Sequence, residues 1–130
     1  MNIDFKSKKT AFIIFVIIGI IYTAPLISNL GSIVEGAYNI DWDYNLNVNH
    51  VARESIIEYG QFPLWNSYSC GGNVLFSNPY SSFLYPGFIF VLIFKEIVGL
   101  KILMTVQIII GMYGMFLLSK HYKFEKYSAY

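Results

Sequence analysis

The chain has 130 residues, of which 55% are hydrophobic, 18% aromatic and only 13% charged; its mean hydropathy is +0.50 and its net charge +1. A soluble domain carries roughly 25% charged residues, so this composition points to a membrane protein. The near-zero charge leaves no argument for a polyanion-binding surface, which sets nucleic acid aside as a partner, and the single Cys70 can form neither an intramolecular disulfide nor a zinc site alone.

Residues 1–9 carry Lys6, Lys8 and Lys9 and lead into an uncharged apolar run. The run predicts a transmembrane helix over 10–27. Its seventeen residues from 11 to 27 reach about 26 Å as a helix, near the ~30 Å hydrocarbon thickness. The lysines place the N-terminus in the cytoplasm by the positive-inside rule. A cleaved signal peptide shares the basic lead-in, but this core is long for one, and Thr23-Ala24-Pro25 makes a poor cleavage site.

Residues 28–82 form the one sizeable polar region, an extracytoplasmic loop on this topology. Leu46, Val51, Ile56 and Ile57 fall mainly at helical spacing, and Gly60 followed by Pro63 stops the pattern. An amphipathic helix over about 43–59 is expected, lying on the membrane surface. Its polar row, Asp43, Asn47, His50 and Glu54, reads as a solvated face or as donors for a divalent cation, with Asp43 and His50 the metal candidates. Arg53 suits a phosphate through its fork of donors, and suits Glu54, Glu58 or lipid headgroups equally.

Just before that helix stands Asp41-Trp42-Asp43. In an extended turn, residues two apart project to the same side, so the two carboxylates would converge. Such a pair can act as general base toward a hydroxyl or hold a metal on a phosphate. Asp43 also suits a helix N-cap, whereas Asp41 has no comparable structural duty. The turns Gln61–Asn66 and Cys70–Asn73 are rich in Gly, Pro and Asn. Trp42, Trp65, Tyr68, Tyr80 and Tyr85 read as an aromatic belt at headgroup level or as a wall for a sugar or polyprenyl chain. No nucleophile–base pair, Walker loop or GxGxxG motif is present.

The apolar stretch 83–94 is too short to span, and extending it to 100 would bury Lys95 and Glu96 at roughly 2.5–3.5 kcal/mol each. Residues 83–100 therefore read as an interfacial or re-entrant helix. A second transmembrane helix is expected over 101–118, with 119–130 as a cytoplasmic tail bearing Lys120, Lys123 and Lys126.

Taken in order, an acidic motif after a first apolar helix, an amphipathic helix, Gly60-x-x-Pro63-x-Trp65-Asn66, Gly71-Gly72 and Leu84-Tyr85-Pro86 resemble the N-terminal part of YfhO-type bacterial membrane proteins and the GT-C glycosyltransferase superfamily. The resemblance covers about residues 10–125. It implies an all-α integral membrane fold, multi-pass in the cytoplasmic membrane, with two transmembrane helices here flanking the extracytoplasmic loop. It implies transfer of a sugar from a polyprenyl-phosphate donor, with Asp41 first and Asp43 second as the catalytic acids. Arg53, Trp65, Asn66 and Tyr85 would contact substrate. The partners implied are membrane lipid, the lipid-linked sugar and the remaining helices of a longer parent, from which this chain would be a truncated, inactive piece. Many relatives have one acid followed by Gln, whereas here Asp43 is followed by Tyr44-Asn45, which leaves open which carboxylate aligns. The competing expectations are a small non-catalytic membrane subunit or binding module, and part of a polyprenyl-lipid transporter.

Overall fold

A computed structural model describes residues 8–32, 40–69 and 71–122. The described chain runs through α1 (Lys8–Tyr22), α2 (Ala24–Ile27), α3 (Ile40–Ile57), two short strands β1 (Trp65–Asn66) and β2 (Asn73–Val74), a 3-10 turn (Pro86–Phe88) and α4 (Ile89–His121). It separates into two compact units: the described parts of Met1–Ser28 and Met104–Tyr130 make one, and Asn29–Leu103 the other.

The first unit corrects the expected span over 10–27. Two helices stand there instead of one. At Thr23 the hydroxyl donates back to the Gly19 carbonyl (2.8 Å), and Pro25, lacking an N–H, opens the separate turn α2. Fifteen residues of α1 reach only about 22 Å. Within this unit Gly19 lies against Ile109, where an added Cβ would fall 2.5 Å from a side-chain carbon. Phe12 meets Tyr113 edge-on at 5.2 Å, and Phe15 meets Phe116 at 5.7 Å.

The second expected span, 101–118, lies inside α4, which is interrupted at Lys95 (φ 64, ψ 173). Among the described residues no helix is long and apolar enough to cross a membrane. That finding overturns the two-span, multi-pass integral membrane fold and the localisation drawn from it. It also removes the footing for a membrane glycosyltransferase description. An all-α class is incomplete as well, because β1 and β2 pair antiparallel, Trp65 with Val74 and Asn66 with Asn73.

The unit Asn29–Leu103 has its own core. Val48, Val51 and Ala52 recur at helical spacing on α3 and pack with Leu75, Phe88, Val91, Leu100 and Leu103. The expected helix over 43–59 is thus present, displaced to begin at Ile40. It ends as its sequence indicates: Gly60 takes a left-handed φ of 60, and the Gln61 N–H reaches back to the Ser55 carbonyl. The break in α4 is a chain reversal. In a continuous helix Val91 and Gly99 would lie about 12 Å apart. Here a Cβ on Gly99 would sit 2.5 Å from the Val91 Cα and 2.6 Å from the Phe90 carbonyl oxygen, so the two arms touch backbone to backbone. Lys101, 1% exposed, closes this part of the unit by donating to the carbonyls of Asn29 (2.5 Å) and Ser32 (2.7 Å).

Candidate functional site

Several polar side chains of α3 hold the following loop. Asn47 Oδ1 accepts from Asn66 Nδ2 (3.0 Å) and from Ser69 Oγ (3.2 Å), while Asn66 Oδ1 accepts the Tyr68 N–H (2.9 Å). Asn49, fully buried, donates to the Asn45 carbonyl (2.9 Å) and Asn45 Oδ1 (2.6 Å), and accepts from the Ser82 hydroxyl. Farther along, Asn78 donates to Tyr44 Oη (2.7 Å), and Tyr44 meets Tyr80 edge-on. Each buried amide would be costly if unpaired, so these bonds fix one path for a loop of little regular structure.

The sequence-predicted residues fare differently within that frame. Asp41 and Asp43 fall in the first turn of α3 and are both exposed. They are not in an extended turn, and Asp43 does not cap the helix. Two residues apart on a helix means about 200° around the axis, so the carboxylates point to opposite sides. Both suit the positive end of the helix dipole. Asp43 and His50 share a face but stand two turns, roughly 10 Å, apart along the axis, too far for one cation. Among the described residues no group of three His, Cys, Asp or Glu side chains is placed to hold a metal ion. Glu54, the last of the polar row, faces the Tyr68 hydroxyl at 3.4 Å, and the hydrogen bond together with its charge raises the Tyr68 pKa above 10.0.

Of the expected substrate contacts, Asn66 is entirely buried and serves the loop as a structural knot. Trp65, its neighbour on β1, points the other way and is 55% exposed. Its indole lies on Gly72, where any Cβ would fall 2.5 Å from the ring; Gly72, at φ 106, also has a backbone that only glycine adopts readily. Tyr85 is 42% exposed, with its ring over Gly87 beside the 3-10 turn. Arg53 is partly buried, and its Nε has no hydrogen-bond partner among the described residues. The structure therefore joins Asn66 to Asn47 and holds Trp65 on Gly72, while Asp41, Asp43 and His50 do not converge.

The residue that sequence reasoning missed is Glu96. His50 Nδ1 lies 3.1 Å from Glu96 Oε1, joining α3 to the arm after the reversal. A shallow cleft of about 300 Å³ opens there, lined by Leu46, Asn47, His50, Glu96 and Ile97. The signal was present as a Lys95-Glu96 pair inside an apolar run: a charge in such a place must find a partner. No protein-family model, no curated protein and no solved structure matches the chain.

Proposed function

We propose that the Asn29–Leu103 unit is a recognition module for a sugar-class ligand, with Trp65 as the surface on which the ring stacks. The observation that carries this reading is an indole more than half exposed yet held in one place, by Gly72 beneath it and by the Trp65–Val74 pairing beside it. An aromatic ring fixed before the ligand arrives loses little side-chain entropy on binding, and a sugar's C–H face fits its flat apolar surface. Arg53 supplies a guanidinium on the same unit, suited to a phosphate of a polyprenyl-phosphate-linked sugar. Transfer chemistry is not part of the reading, because Asp41 and Asp43 diverge. A role as one portion of a sugar-transferring protein is retained only in this form: the chain would hold the sugar, and other residues would act on it.

The chain has two tryptophans, Trp42 and Trp65, so indole N–H signals in NMR separate the reading from its rivals. A free monosaccharide, a polyprenyl-phosphate-linked sugar and the polyprenyl phosphate alone are titrated in turn. Saturable shifts of the Trp65 indole N–H with both sugar-bearing probes are expected, with calorimetric binding of the same probes lost in Trp65→Ala and kept in Trp42→Phe. Shifts with polyprenyl phosphate alone equal to those with the linked sugar would place recognition on the lipid and sink the sugar reading. So would a Trp65 signal that no probe moves.

A further inference from the structure

His50 and Glu96 stand in a geometry that sets the chemistry of the imidazole. An ionised carboxylate can only accept a hydrogen bond, so the 3.1 Å contact with Glu96 Oε1 places the proton on His50 Nδ1. An imidazolium would bear that proton as well; in the neutral ring it leaves the lone pair on Nε2. His50 remains 49% exposed, while Glu96 is only 21% exposed, and its second oxygen is buried without a partner among the described residues. The carboxylate is thus the sheltered member of the pair and the imidazole the presented one.

Glu96 reaches this place only through an unfavourable backbone. Lys95, directly before it, is the one non-glycine residue with positive φ among the described residues, in a region of φ/ψ space that is nearly exclusive to glycine. Contact of Gly99 with Phe90 and Val91 locks the reversal from the other side. Strain of this kind persists where the surrounding structure enforces it, and here it delivers a carboxylate to a histidine at a cleft.

The cleft wall combines two apolar side chains, Leu46 and Ile97, with Asn47, His50 and Glu96. Asn47 Oδ1 already accepts from Asn66 and Ser69. Glu96 Oε1 meets His50 Nδ1 and its second oxygen is buried, which leaves Nε2 as the acceptor on the more exposed polar residue of the pair.

We propose that this cleft is a binding site for a small hydroxyl-bearing molecule with an apolar body. Its O–H donates to His50 Nε2, its apolar part lies against Leu46 and Ile97, and Glu96 is the positioning residue that holds the ring and its tautomer.

The test uses the full chain labelled with 15N in its two histidines, His50 and His121, the second serving as an internal control. Benzyl alcohol is compared with benzyl methyl ether, which has the same ring but no donor. The expected result is a saturable shift at His50 with the alcohol, none at His121, and about tenfold weaker binding of the ether, the factor one hydrogen bond typically represents. Equal titration by both probes, shifts of equal size at His121, or no saturable shift at all would overturn the site. Glu96→Gln should weaken the alcohol several-fold. Independently of any variant's folding, the 15N shifts of the unliganded wild-type ring must report the proton on Nδ1. A proton found on Nε2 refutes the assignment outright.

Discussion

Replacing Lys95 by glycine gives opposite signs according to whether α4 is one continuous helix or two arms joined by a reversal. At φ 64 and ψ 173 a residue with a Cβ carries roughly 1–3 kcal/mol of strain, which glycine removes. Against that, glycine restores freedom to the unfolded chain, a loss of about 0.5–1 kcal/mol. The Lys95 side chain is exposed, so its removal takes little packing away. The balance is a net stabilisation of about 1 kcal/mol. Were the helix unbroken at this point, the same substitution would destabilise by about 1 kcal/mol, the ordinary deficit of glycine within a helix. Urea unfolding followed by circular dichroism resolves the difference. With a slope near 2 kcal/mol per molar, the two cases separate by about 1 M in midpoint. Lys95→Ala is the control, because it removes the charge and keeps the Cβ. A midpoint for Lys95→Gly below wild type, or a gain matched by Lys95→Ala, would refute the reversal as the source of strain.

Two glycines of α4 make a further contrast in the same assay. Gly99→Ala drives a Cβ into the backbone of Val91 and Phe90 and should destabilise by about 3 kcal/mol, whereas Gly111→Ala, with open space around it, should gain about 0.5–1 kcal/mol. Asn66→Ala removes the partner of Asn47 and of the Tyr68 N–H; a loss of about 2–3 kcal/mol and faster hydrogen exchange at Tyr68 are expected. Glu54→Gln should bring the Tyr68 phenol back toward 10.0 in a spectrophotometric titration, since the Glu54 hydrogen bond is the leading cause of its raised pKa and the Glu54 charge the next. The sign follows from linkage: a raised pKa in the folded chain supports folding in full below pH 10, and that support fades as the pH climbs through the raised value.

Legibility in the sequence followed the range of the interactions. Gly60 and Pro63 mark the end of α3 because a helix stop is local chemistry, and the structure shows the left-handed turn at Gly60. The beginning was misplaced because Asp41 was read as lying before the helix and Asp43 as its first or capping residue. Acids are also favoured in a first helical turn, so the same two residues support either reading. A hydropathy run merges whatever lies within it: residues 10–27 look continuous until the Thr23 back-bond and Pro25 divide them. Lysine carries no tendency toward positive φ, so the reversal at Lys95 left only the oddity of two charges in an apolar stretch. Strands of two residues, Trp65–Asn66 and Asn73–Val74, are too short to show alternation at all.

The site was harder to read than the fold for a related reason. Apolar periodicity locates the buried face of α3 but does not say which polar groups are buried with it, and Asn49 sits between Val48 and Val51 with no exposure. Once inside, an amide must be paired, and its partners come from the loop that it thereby organises. Asn66, expected as a substrate contact, is for that reason occupied. A side chain free to act must instead be held by a group from a distant segment, which local sequence cannot announce. His50 has such a group in Glu96, forty-six positions on, while Asp41 and Asp43 stand exposed on opposite sides of their helix. Chemistry on this chain is therefore better sought where a non-local contact has fixed a titratable side chain than where two acids happen to be close in sequence.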